Sequence, residues 1–138
     1  MKLRATLLPL ALLLLASLGW AADVRKIAPK DAARLVAEGK AVIVDVREAP
    51  EWKDSGVAAP AFLLPKSDFD GEQKLWKPFL EKNAGKEIIL YCRSGGRSDE
   101  VAAKLAAKGV KTSTIGTLRT WTSAGLPTRA ADAPAAAK

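Results

Sequence analysis

The chain has 138 residues, of which 22 are Lys or Arg and 15 are Asp or Glu, with no histidine and a single cysteine. The absence of histidine excludes Ser-His-Asp and Cys-His catalysis and, with only one cysteine, a closed zinc site, so no metal and no cofactor is predicted. One thiol cannot form an internal disulfide. The positive net charge, +7 for the full chain, suits small anionic ligands but is also ordinary for a protein surface, and the absence of basic runs interleaved with aromatic residues argues against nucleic acid.

The N-terminus has the order of a secretory signal peptide. Two basic residues precede an apolar run over 7–18, and the triplet Gly19–Ala21 supplies a small-x-small cleavage site. The alternative, an uncleaved membrane anchor, would need a longer apolar run of roughly 20 residues. We therefore expect residues 1–21 to be removed, which predicts a periplasmic protein without stable membrane association.

The rest of the chain alternates helical and strand patterns, which predicts an α/β fold with a mainly parallel central sheet and helices on both faces. A helix is predicted over 28–39, where Pro29 suits the first turn. The β-branched runs 41–46 and 88–91 are typical of strands buried on both faces. Further elements are predicted at 61–65 (a short apolar piece), 72–82 (a helical region that Pro78 splits or kinks), 98–109 (a helix), 111–115 (a weak strand) and 118–125 (a short last helix).

These elements form one domain, expected over residues 22–127, and no internal repeat is found. The segment 128–138 is of low complexity and is expected to be a disordered tail. The protein is predicted to be a monomer.

The only cysteine lies in YCRSGGRS, residues 91–98, between a predicted buried strand and a predicted helix. Ligands bind beyond the carboxyl ends of parallel strands, so Cys92 belongs at that edge. The glycine pair lets successive N–H groups converge, and the helix N-terminus adds positive charge, which makes the loop an anion cradle. With Arg93 or Arg97, these groups would lower the thiol pKa below its ordinary value of about 8.5 without a histidine base. The alternative is an inert cysteine that packs before a glycine turn.

The segments VIVDVREAPEW (42–52), YCRSGGRS (91–98) and GTLRTWTSAGLP (116–127) together resemble a single-domain rhodanese over most of the chain. With the export signal, the chain is similar to the small periplasmic thiosulfate sulfurtransferases. The resemblance implies a rhodanese-like fold with Cys92 as the nucleophile. It implies a substrate-binding loop of Arg93, Ser94, Gly95, Gly96 and Arg97, and supporting residues Asp45, Arg47, Glu51 and Ser98.

Some residues around these motifs are open to other interpretations. The upstream charged residues could instead form a solvated loop, and the tryptophans Trp52, Trp76 and Trp121 are expected to pack in the core. Two departures from the family are expected to reshape the pocket wall and the donor or acceptor preference. The segment 55–65 lacks a family histidine, and Gly116-Thr117 replaces a glycine pair.

The resemblance implies a two-step sulfur transfer through a Cys92 persulfide. The donor would be thiosulfate or another small sulfur anion, and the thiophilic acceptor would be cyanide or a thiol, including that of a periplasmic thiol protein. One alternative is a persulfide carrier or binding module for a partner protein, which needs the same loop. The other is a cysteine-dependent phosphatase or arsenate reductase. Those families resemble this chain less closely, because they use a C-x₅-R loop where residues 92–97 form C-x₄-R.

Overall fold

The structure is a computed structural model and describes residues 24–133. Its strands are β1 (Ala41–Asp45), β2 (Val57–Ala58), β3 (Phe62–Leu63), β4 (Glu87–Cys92), β5 (Thr112–Thr117) and β6 (Thr128–Arg129). The main sheet has the order β3-β1-β4-β5 and is parallel throughout, while β2 and β6 form a separate antiparallel pair. The parallel sheet of the predicted fold class is therefore confirmed.

Helices cover both faces of the main sheet, as the alternating sequence pattern predicts. They are α1 (Pro29–Ala37), α2 (Ala49–Ser55), α3 (Lys66–Asp70), α4 (Trp76–Lys82), α5 (Gly96–Ala107) and α6 (Leu118–Ser123). Among residues 24–133, no helix has the length and apolar character needed to cross a membrane.

The core consists of two clusters, one on each face of the sheet, because successive side chains of a strand point to opposite faces. Val42 and Val44 of β1 join Cys92 in the cluster under α3, α4 and α5, whereas Ala41 and Ile43 join the cluster that contains residues of α1 and α6. All six residues of β4 are buried, and this explains the uninterrupted apolar run from residue 88 to residue 91. Trp76 and Trp121 lie in the core as predicted, and Trp52 of α2 is only half-buried.

The predicted helical region 72–82 is shorter in the structure. The helix α4 begins only at Trp76, so Pro78 lies in its first turn and neither splits nor kinks it. The preceding residues form a turn because the carboxylate of Asp68 accepts the N–H groups of Lys74, Leu75 and Trp76 at 2.9, 3.0 and 3.1 Å. The prediction was wrong here because that acceptor comes from another element.

The segment predicted as a disordered tail begins with an ordered strand. Residues Thr128 and Arg129 pair with β2, and the Arg129 guanidinium donates to the carbonyl oxygens of Ala59 and Ala61 at 3.0 and 2.6 Å. The tail prediction is therefore wrong for this part. Residues 134–138 and the predicted signal peptide at 1–21 lie outside the described residues.

Candidate active site

The candidate nucleophile is the last residue of β4, at the carboxyl edge of the sheet. Cys92 is a free, fully buried cysteine. Its sulfur accepts the backbone N–H of Gly95 at 3.0 Å and lies 3.5 Å from the hydroxyl oxygen of Ser98. That hydroxyl also lies 3.0 Å from the Gly95 carbonyl oxygen, so its one proton has two possible acceptors. The Cys92 sulfur therefore lies within hydrogen-bonding distance of donors from the loop and from the helix that follows it.

The turn that follows the cysteine depends on a left-handed backbone at Gly95, whose φ is +98°. The helix α5 begins at the next residue, two positions earlier than predicted, and this places buried Ser98 in its first turn facing the sulfur. A Cβ atom at Gly95 or Gly96 would meet nothing within 4 Å, so the loop has open space beside it. Ser94 and Gly96 are exposed. The loop can therefore be approached from solvent although the sulfur is covered.

Opposing effects act on the pKa of the Cys92 thiol. Burial raises it, while hydrogen bonds from the Ser98 hydroxyl and from the N–H groups of Ser98, Gly95 and Ser94 lower it. The hydrogen bonds outweigh burial, and the pKa is lowered overall. The thiolate is therefore stabilised without a histidine, as the sequence predicts, although its main donors are amides and a hydroxyl instead of arginine.

Two of the predicted supporting residues form a buried ion pair behind the loop. The guanidinium of Arg47 donates to both carboxylate oxygens of Asp45, at 2.7 Å for the shortest contact, and also to the Ser55 hydroxyl at 2.7 Å and the Gly56 carbonyl at 2.8 Å. Arg47 also lies 5.9 Å from the centre of the Tyr91 ring. Burial lowers the pKa of Arg47, but the bonds to Asp45 raise it overall. The alternative of a solvated loop is wrong for this pair, which is buried.

The third supporting residue joins α2 to the cysteine loop. Glu51 accepts two hydrogen bonds from the guanidinium of Arg97, both at 2.7 Å. This contact lowers the pKa of Glu51 to about 2, and the same bonds raise the pKa of Arg97, with a smaller contribution from the charge of Cys92. Arg97 is thus held by Glu51 and stabilises the thiolate only through its field.

A cleft of about 570 Å³ lies next to the cysteine loop, and the sulfur itself is not among its lining groups. Asp54, Arg93 and Arg119 line it, and none of the three makes an ion pair with another residue of 24–133. Arg119 was not predicted as a site residue, although it lies in the segment 116–127, because nothing in the sequence pattern shows which way this helix faces. The full lining is Arg47, Glu51, Asp54, Ser55, Arg93, Leu118, Arg119 and Thr122.

One departure from the family pattern, the altered segment, contributes Ser55 to this wall, and the other, Gly116-Thr117, directly precedes the lining residues Leu118 and Arg119. Ser55 and Gly56, from the altered segment, bind Arg47. Gly116 has a positive φ of +84°, and the Thr117 side chain accepts the N–H of Thr120 at 3.1 Å, which caps α6. The effect of these changes on substrate preference stays a prediction.

Comparison with known families places most of this chain in one of them. A model of the rhodanese-like domain matches residues 28–121. An uncharacterized protein of Synechocystis sp. is 35% identical over 104 residues, which cover 74% of this chain and 54% of that protein. The chain therefore spans about half the length of this relative.

Solved structures share the fold. A protein of unknown function from Rhodopseudomonas palustris, described as a possible tyrosine phosphatase, has a TM-score of 0.63 and 24% identity, and covers 77% of this chain and 85% of its own. A rhodanese-related protein from Thermoplasma volcanium has a TM-score of 0.62 and 23% identity, with 76% and 97% covered. At these identities the likeness extends to the fold alone.

Proposed function

Because the chain belongs to the rhodanese-like domain family, we propose that it is a sulfurtransferase that moves sulfane sulfur from thiosulfate or a similar small anion to a thiophilic acceptor. The family supports sulfurtransferase or persulfide chemistry in general. The observation that carries the proposal is the Cys92 sulfur itself, which accepts an amide N–H at 3.0 Å and has a lowered pKa although it is buried. A thiolate in that position is a nucleophile without any base.

In the first step, the Cys92 thiolate attacks the outer sulfur of thiosulfate. A bond forms between the two sulfurs, the bond between sulfane sulfur and sulfonate breaks, and its electron pair leaves with sulfite. The products are a persulfide anion on Cys92 and a sulfite dianion, so the total charge is unchanged. The N–H groups of Ser94 and Gly95 and the Ser98 hydroxyl stabilise the negative charge that moves to the outer sulfur.

In the second step, cyanide or a thiolate attacks the outer sulfur of the persulfide. The sulfur–sulfur bond breaks, its electron pair returns to Cys92, and the thiolate is restored for another turnover. The Asp45–Arg47 pair and the Glu51–Arg97 pair act indirectly, because they fix the two segments that surround the loop.

The loop length supports sulfur transfer over phosphate hydrolysis. Cys92 through Arg97 contains one residue fewer than the C-x₅-R loop of the phosphatase families, so a persulfide sulfur fits the ring of amides better than a tetrahedral phosphate. A persulfide carrier would use the same loop, but it would pass the sulfur between partner proteins without efficient turnover of small molecules. We also propose that the protein acts in the periplasm. The N-terminal pattern supports this proposal, and sequencing the N-terminus of exported protein tests it. A monomeric state is a separate proposal, which size-exclusion chromatography with light scattering tests.

An assay of the purified protein with thiosulfate and cyanide, and with an aryl phosphate in the same buffer, tests the proposed function. We expect repeated turnover to thiocyanate, little phosphate release, and loss of transfer in Cys92→Ser. A serine hydroxyl is far less ionised and cannot form a persulfide. Phosphate release faster than sulfur transfer would contradict the proposal, and a single loading without turnover would identify a carrier.

A further inference from the structure

The cleft beside the cysteine loop has a positive charge that the chemistry at sulfur does not use. Two of its charged residues are already paired, Arg47 with Asp45 and Glu51 with Arg97. Arg93 and Arg119 remain without an ion pair among residues 24–133, against the single carboxylate of Asp54. The unpaired groups of the cleft therefore favour an anionic ligand.

The size of the cleft indicates what kind of anion it binds. Its volume of about 570 Å³ is in the range of small-molecule sites, and a small inorganic anion would fill only a fraction of it. The wall also has an apolar side chain, Leu118, and the hydroxyls of Ser55 and Thr122. An organic molecule with a carboxylate and a short carbon chain matches this lining.

We propose that Arg93 and Arg119 form a carboxylate-binding subsite that selects a small carboxylate-bearing thiol as the acceptor of the Cys92 sulfur. The inference rests on the proposed function. Guanidinium groups bind carboxylates through two parallel hydrogen bonds, which orients the ligand as well as attracting it. Arg93 directly follows Cys92, so a thiol held by its carboxylate in this cleft is close to the outer sulfur of the persulfide.

The transfer balances without another reactant. The acceptor thiolate attacks the outer sulfur of the Cys92 persulfide, a new sulfur–sulfur bond forms, and the old one breaks. The electron pair of the broken bond returns to Cys92 as thiolate. The sulfane sulfur leaves on the acceptor as an organic persulfide anion, so the total charge is unchanged.

The second half-reaction measured alone tests this subsite. The protein is loaded with thiosulfate, freed of the donor by gel filtration, and mixed with 3-mercaptopropionate or with uncharged 2-mercaptoethanol. The rate constant for 3-mercaptopropionate is divided by that for 2-mercaptoethanol, and this ratio is compared between the parent and Arg119→Gln. The intrinsic reactivities of the two thiols cancel in the comparison. We expect the ratio to fall roughly fivefold in Arg119→Gln, to recover partly in Arg119→Lys, and to fall in the parent as salt is added.

A matched control removes one positive charge elsewhere. Lys77 on α4 is exposed, lies outside the cleft and makes no ion pair with another described residue, so Lys77→Gln should keep the parent ratio. Equal ratios in the parent and Arg119→Gln would overturn the subsite while leaving sulfur transfer intact. If the parent protein never gains a sulfur that cyanide removes, the proposed function fails instead. Because Arg119 is exposed, its variants are expected to fold, and circular dichroism checks this.

Discussion

At the scale of single residues, the state of Cys92 depends on donors that the loop brings to a buried sulfur. Burial alone would favour the neutral thiol. Hydrogen bonds from the Ser98 hydroxyl and from three backbone N–H groups favour the thiolate and lower the thiol pKa overall. Arg97 of the loop is held by Glu51. Removal of the hydroxyl should therefore affect the thiol more directly than changes in surface charge.

We expect Ser98→Ala to raise the pKa of Cys92, because it deletes the strongest of the groups that lower it. The rate of alkylation by iodoacetamide, followed against pH, measures this: the midpoint should move upward and the rate at pH 7 should fall. The control is Ser113→Ala, which removes a buried hydroxyl on β5 that has no hydrogen-bond partner among the described residues. An unchanged midpoint in Ser98→Ala would contradict the role of the hydroxyl.

At the scale of elements, the Glu51–Arg97 pair connects α2 to the cysteine loop, and the Arg129 side chain connects β6 to residues 59 and 61, which follow β2. The first contact fixes the position of the cysteine loop, and the second holds the C-terminal strand against the rest of the domain. Both connect segments that are distant in sequence, so each makes a separate prediction about stability.

The Glu51–Arg97 pair predicts a specific dependence of stability on pH. The pKa of Glu51 is about 2 in the folded protein against an ordinary value of 4.5, so its contribution is fully present above pH 4.5 and is lost as the pH falls towards 2. The parent should therefore be more stable than Glu51→Gln near neutral pH, and the difference should narrow between pH 4.5 and 2. Urea unfolding at several pH values measures it, with Glu81→Gln on the exposed side of α4 as the control. A constant difference would show that the ion pair does not stabilise the fold.

The contacts of the Arg129 side chain should stabilise the position of β6 in the folded protein. It donates to carbonyl oxygens of residues 59, 61 and 133, so Arg129→Gln should lower the free energy of unfolding by about 1–2 kcal/mol. Amide hydrogen exchange in β2 and β6 should become faster. The comparison is Arg34→Gln, whose guanidinium forms only exposed ion pairs and should change stability by less than about 0.5 kcal/mol. Equal effects of the two variants would mean that Arg129 does not fasten the strand.

At the scale of the whole molecule, the parts that could be predicted are those that local pattern determines. The apolar runs of β1 and β4 fit central strands that are buried on both faces, and the glycine pair after Cys92 fits the turn that follows such a strand. The start of α4 depends on an acceptor in the preceding helix, the strand β6 depends on pairing with β2, and the direction of Arg119 depends on how α6 packs against the core. Asp68 caps a turn of another element, and Thr128–Arg129 pair with β2 some 70 residues earlier, so local composition could not predict them.

The most direct test of sulfur transfer through Cys92 is the intact mass of the purified protein before and after incubation with thiosulfate, and again after cyanide. We expect the mass to rise by one sulfur atom, to return to its first value with cyanide, and to stay constant throughout in Cys92→Ser, because the only thiol of the chain is the acceptor. A parent protein whose mass does not change with thiosulfate or any other sulfane donor, although its thiol is alkylated rapidly at pH 7, would contradict the persulfide mechanism.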